Sequence, residues 1–172
     1  MMPDPVVIAD YDRRWLDMYA EEKRQILGAI GEWVVAIEHI GSTSVPGLAA
    51  KPIIDIMVGV HALDDAQHCI APLATIGYVY KPELEADIPE RRYFNKGPQS
   101  DHRHLHMVEV SSKFWRDQLV FRDYLRSYPE MAAAYADLKR NLAARFQTDR
   151  EGYTEAKTEF VQSVLRMARE AE

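Results

Sequence analysis

Asp55 is an isolated carboxylate inside an apolar run, Pro52-Ile53-Ile54-Asp55-Ile56-Met57-Val58-Gly59-Val60. The run alternates like a β-strand. Ile54, Ile56, Val58 and Val60 share one face, and Ile53, Asp55, Met57 and Gly59 the other. A charge in that setting is costly unless it is paired or holds a cation. Asp55 is therefore a candidate for metal or phosphate chemistry; the duller explanation is a buried carboxylate held by backbone N–H groups. Ahead of it lies Gly41-Ser42-Thr43-Ser44-Val45-Pro46. Glycine permits a sharp bend or a close approach to a ligand. Ser42, Thr43 and Ser44 crowd hydroxyls and amides into one loop, and Pro46 presets a first helical turn that Ser44 would cap. A loop feeding a helix N-terminus suits a phosphate.

Other side chains could join this pair. His104 and His106 alternate with Leu105 and Met107, so in a strand both imidazoles project to one side. Beside the Asp55 strand they would converge on the carboxylate, as metal ligands with Asp55 and, for His106, as a catalytic group. The same pattern also describes histidines on a half-exposed strand. His39, just before the bend, would serve the site or bond a loop carbonyl. Lys51 and the pair Arg91-Arg92 are the nearby cations, and a guanidinium suits bidentate phosphate contact. Only one of two adjacent strand residues can face the site, and Arg92 is assigned that place. Lys157 lies one turn past Tyr153, where it would reach a triphosphate or simply cover a solvated helix face. The aromatic and charge stripes of Phe121–Arg126 and Leu138–Phe146 read as core packing.

Gly41-Ser42, twelve intervening residues and Asp55-Ile56 resemble the signature of the nucleotidyltransferase superfamily: hydrophobic-Gly-Ser, a short helix, then Asp-hydrophobic-Asp/Glu. The segment His39-Ile40-Gly41-Ser42-Thr43-Ser44-Val45-Pro46-Gly47-Leu48, with Lys51-Pro52 and Asp55, more closely resembles the GrpB family. The similarity extends to His104-Leu105-His106, Phe121-Arg122-Asp123-Tyr124-Leu125-Arg126 and Lys157…Phe160-Val161, nearly the whole chain. It implies an α+β (α/β), nucleotidyltransferase-like fold: a small mixed sheet flanked by helices, with a C-terminal helical layer. Similar domains occur fused behind dephospho-CoA kinase.

In that superfamily paired acids hold two divalent ions, which neutralise triphosphate charge, activate the attacking hydroxyl and stabilise leaving pyrophosphate. The resemblance thus implies a divalent metal, Mg or Mn, or zinc if the histidines ligate, on Asp55, His104 and His106. It implies a nucleoside triphosphate and a small acceptor as partners. Gly41, Ser42, Thr43, Ser44, Lys51 and Arg92 would bind substrate, and Asp55 and His106 would catalyse. Met57 occupies the second acid position, and a thioether suits Mg²⁺ poorly. Two readings follow: a metal-dependent nucleotidyltransferase, or a nucleotide-binding module on a degenerate transferase fold. A His/Asp metal hydrolase is a third.

Composition narrows the field further. A chain of 172 residues is expected to form one domain over 1–172. Its net charge of -6 argues against broad nucleic-acid binding, which needs a positive face. The single cysteine, Cys69, excludes an internal disulfide and fits a reducing compartment. No secretory signal or membrane-length apolar run is visible, so a cytoplasmic protein without membrane attachment is expected.

The elements that must position the candidates follow from periodicity. A helix is predicted from Asp10 or Asp12 to about Ile30, then the strands around the bend, then a helix over 63–75. Short strands are predicted at 78–80, 91–95 and 102–110, with 81–90 a surface loop broken from its neighbours by prolines. Three helices close the chain, starting near Lys113, Pro129 and Asp149.

Overall fold

Alternation in the strands decides the architecture, a computed structural model of which describes residues 6–97 and 102–171. The extended lead-in expected over residues 1–9 from Pro3 and Pro5 lies partly outside these residues, as does Pro98, expected with Lys96 and Gly97 to break the strand at 91–95. Helix α1 (Arg14–Ile30) starts where Asp12 accepts the Arg14 amide at 2.9 Å. Strand β1 (Ala36–Ile40) enters the bend and β2 (Ile54–Val60) leaves it. After helix α2 (Ile70–Ala74) come β3 (Val79–Tyr80), β4 (Arg91–Lys96) and β5 (Arg103–Glu109). The C-terminal layer is α3 (Lys113–Ser127), α4 (Pro129–Arg145) and α5 (Arg150–Glu170). Ser112 caps α3 by accepting the Trp115 amide, and Asp149 caps α5 by accepting that of Gly152.

The strands form one mixed sheet in the order β1-β2-β5-β4-β3, with β2 and β5 parallel and the other neighbours antiparallel. One face is hydrocarbon: Ile54, Ile56, Val58, Val60, Leu105, Met107 and Phe94 are buried beneath Trp15, Ile26 and Ile30 of α1. The opposite face carries Asp55, Met57 and Gly59 of β2 in line with His104, His106 and Val108 of β5. Here α3 lays Phe114, Trp115 and Leu119 over Ile40, Met57 and Val108. A β-carbon at Gly59 would collide with Val110 and Trp115, so glycine is what lets α3 lie this close.

Two predicted elements differ. The turn expected after Pro46 forms earlier, as a 3-10 turn at Ser42–Ser44, because Gly41 reverses the chain with φ +74° immediately before it. The helix expected over 63–75 divides into a 3-10 segment, Leu63–His68, and the short α2. Among the described residues, no helix is long and apolar enough to cross a membrane.

Candidate functional site

Between the polar sheet face and the C-terminal helices lies a cleft of about 640 Å³. Gly41, Ser42 and Asp55 form one end, and Lys51, Lys139 and Lys157 line it with Tyr135 and Tyr153. A β-carbon at Gly41 would stand 2.6 Å from Asp55 Oδ2. Glycine is required there twice over, for its left-handed φ and for this approach. The bend and the acid therefore meet in this cleft.

The register places Asp55 opposite His104, and Met57 opposite His106. His106 Nε2 lies 3.1 Å, and His104 Nδ1 3.5 Å, from Asp55 Oδ1. Arg91 Nη1 is 3.4 Å from His106 Nδ1. Since arginine can only donate, Nδ1 accepts and Nε2–H donates to Asp55. Burial lowers the His106 pKa, Asp55 opposes that shift, and the ring stays neutral. Burial alone would raise the Asp55 carboxyl, but hydrogen bonds from His104 and His106 overcome it and hold the group well below the usual carboxylate range. Asp55 is thus an ionised, oriented and partly exposed carboxylate.

The three hydroxyls of the loop divide their work. Thr43 donates to the Ile53 carbonyl at 2.9 Å, so it accepts from His39 Nε2 at 3.0 Å. The Ser44 hydroxyl donates back to the Gly41 carbonyl. Both residues are fully buried and stiffen the bend; Ser42 keeps its hydroxyl on the cleft, facing that of Tyr135. His39 stacks on Tyr19 on the α1 side of the sheet, and burial pushes its pKa down to about 4. It braces the loop through a hydroxyl rather than a carbonyl.

Helix α3 supplies a second brace. Arg122 Nη1 donates to Glu38 Oε2 at 2.8 Å and to the His39 carbonyl at 3.1 Å. Arg126 grips the Ser44 carbonyl through Nε and Nη2 at 3.1 and 2.9 Å. The stripe read as core packing is thus also the clamp on the bend.

Arg92 requires correction. It pairs in register with Met107, and so points to the sheet face opposite Asp55, where it donates to the Pro89 carbonyl and approaches Glu85. Strand parity gives the site side to Arg91 instead. Lys51 does line the cleft, with Nζ 4.7 Å from the Tyr153 ring centroid. Lys157 is the same ring's second cation, at 4.5 Å. Lys139, which sequence reasoning missed, is 2% exposed and donates to the Ala49 carbonyl at 2.6 Å. Burial, reinforced by Lys157 and Lys51, pushes its pKa down to about 7; burial and Lys51 push that of Lys157 to about 8. Spacing between separate helices left no local signal by which to find Lys139.

The donor set does not fit a two-ion centre. Met57 is fully buried among Ile40, Val108 and the α3 aromatics, away from any ligand role. Both imidazole nitrogens address a single oxygen of Asp55. Among the described residues, no group of three or more His, Cys, Asp or Glu side chains is disposed to hold a metal ion.

The sequence profile of the family described as GrpB protein matches residues 5–167. The chain belongs to the GrpB family. Its relatives include the UPF0157 protein YqkA of Bacillus subtilis (strain 168), 37% identical over 92% of this chain and 46% of that protein. A UPF0157 protein of Pseudomonas aeruginosa is 40% identical over 94% of this chain and 67% of its own length. The GrpB-family chain therefore spans about half the length of the first relative and two thirds of the second. Dephospho-CoA kinase of Mycolicibacterium paratuberculosis is 27% identical over 95% of this chain and 46% of the kinase, in keeping with the predicted likeness.

Among solved structures, GrpB from Enterococcus faecalis superimposes with TM-score 0.85 at 33% identity, covering 94% of this chain and 96% of that one. Cid1 in complex with the UTP analog UMPNPP superimposes with TM-score 0.52 at 14% identity, over 80% and 41%. The fold is nucleotidyltransferase-like.

Proposed function

We propose that the cleft binds a nucleoside triphosphate, with the phosphates against the Gly41–Ser42 bend and the sugar and base toward Phe114 and Phe121. The observation that carries this reading is the apposition of Gly41 and Asp55 Oδ2 at one end of a roomy cleft lined with cations. The missing β-carbon of Gly41 brings the bend against Asp55 and so fixes both at the same place in the cleft. The Ser42 hydroxyl adds a donor beside it. Fold likeness to Cid1 in complex with a UTP analog supports the same class of ligand.

The reading is tested by thermal shift with each of the four common nucleoside triphosphates, with and without Mg²⁺. At least one is expected to raise the melting temperature saturably, and Ser42→Ala should weaken that binding several-fold. No shift from any of the four would contradict it.

A second reading, transfer of a nucleotidyl group to a small acceptor, is favoured by one feature: Asp55 stays ionised and oriented by His106 while open to the cleft. The acceptor oxygen would attack the α-phosphorus and pyrophosphate would leave. Its test is pyrophosphate release from triphosphate–acceptor pairs, expected to vanish in Asp55→Asn with folding unchanged. Undiminished release in that variant would reject the assignment.

A further inference from the structure

The lysines of the cleft carry an inference that rests on, and goes beyond, the nucleotide reading. Lys51 precedes β2, Lys139 lies on α4 and Lys157 on α5, yet all three line the same cleft. None forms an ion pair with a carboxylate among the described residues; Lys51 and Lys157 flank the Tyr153 ring, and Lys139 lies 4.7 Å from that of Tyr135. The Tyr153 hydroxyl is buried in the same wall without a hydrogen-bond partner. Clustered ammoniums without an anion repel one another, and a fold gains nothing from such an arrangement by itself. An anion with several oxygens would pair all three and offer the Tyr153 hydroxyl an acceptor.

We propose that Lys51, Lys139 and Lys157, with the Tyr153 hydroxyl, form a polyphosphate site that binds a triphosphate chain without a divalent cation. Protein ammoniums there take the charge-neutralising part that a metal pair takes in the superfamily, which accords with the loss of the second acid at Met57. The chain of phosphates could belong to a nucleotide or be inorganic tripolyphosphate. The depressed pKa values of Lys139 and Lys157 support the site, because an anion would restore their protons. The charged groups bearing on the three lysines are Asp55 from β2, Arg140 from α4 and Arg150 from α5.

The test is calorimetric titration of the whole chain with sodium tripolyphosphate in EDTA at pH 7.5 or so, and then with Mg²⁺. Saturable binding in EDTA is expected, weakened about tenfold by Lys139→Met and by Lys157→Gln. Net proton uptake, read from buffers of different ionisation enthalpy, should accompany binding to the unaltered chain, a readout that holds even if Lys139→Met fails to fold. Absence of binding in EDTA, or binding undiminished in both lysine variants, overturns the lysine site. If a nucleoside triphosphate with Mg²⁺ still binds, the nucleotide reading stands alone. If tripolyphosphate binds but no nucleotide does, the lysine site stands and the nucleotide reading falls.

Discussion

Glu22, on the hydrocarbon side of the sheet, is 5% exposed and accepts from the Tyr78 hydroxyl at 2.8 Å and from Lys96 Nζ at 2.9 Å. Arg103 Nε lies 3.7 Å from its other oxygen. Lys139, on the opposite side, is 2% exposed and has one carbonyl acceptor and two other lysines for company. Both are buried charges, but only the first is surrounded by its counterions. A buried charge with its partners in place ties elements together, here α1 to β4 and β5. A buried charge lacking them lowers stability until something arrives to neutralise it. The contrast separates a structural network from the proposed binding site without appeal to likeness with other proteins.

The sharpest way to break this comparison is at Glu22. Glu22→Gln removes the anion that Lys96 and Arg103 both approach and should cost about 3 kcal/mol of stability, read from the urea midpoint. Triphosphate binding by the folded variant should be unchanged. A stable variant with impaired binding would move function to the wrong side of the sheet.

Gly41→Ala comes next. It forces alanine into a backbone region that only glycine adopts readily, at about 1–3 kcal/mol. It also drives a methyl against Asp55 Oδ2. Triphosphate binding should fall at least tenfold or so in equilibrium titration, while the α1 side is undisturbed.

Lys139→Met should act in the opposite sense to Glu22→Gln. The folded Lys139 titrates near 7 against an ordinary value of 10.5. Between those values the unfolded chain holds a proton that the folded chain lacks, so stability falls as pH drops from 10.5 to about 7 and levels off below that. Replacing the ammonium removes that dependence. The variant should be at least as stable as the unaltered chain at pH 7, and their unfolding free energies should draw together, or cross, by pH 10 or so. A variant much less stable at both pH values would make Lys139 a second Glu22.

Arg126→Gln is the mildest change. It removes two donors from the Ser44 carbonyl, worth about 1–2 kcal/mol, and should loosen the bend enough to weaken triphosphate binding several-fold.

Much of this organisation was legible in the residues themselves. The period-two pattern around Asp55 placed it on the face away from Ile54, Ile56 and Val58, and the same parity set His104 and His106 on one side. The glycine at position 41 announced a close approach, and the approach is to Asp55. Parity failed for Arg91 and Arg92 because which of them faces the site depends on the pairing of β4 with β5, which local sequence does not encode. Thr43 and Ser44 looked equivalent to Ser42 because three adjacent hydroxyls carry no mark of where each will point. Lys139 and Lys157 sit on different helices among 21 lysines and arginines, and only tertiary packing brings them together.

The central claim is that one cleft, with Gly41 and Asp55 at its end and lysines along its wall, receives phosphate. Its most direct test is a crystal structure of the whole chain with a nonhydrolysable analogue of whichever nucleotide gives the largest thermal shift. The account predicts phosphate oxygens within hydrogen-bonding distance of Ser42 and of the Lys139 and Lys157 ammoniums. A nucleotide bound outside this cleft, or lying in it with its phosphates turned away from those three residues, would contradict it.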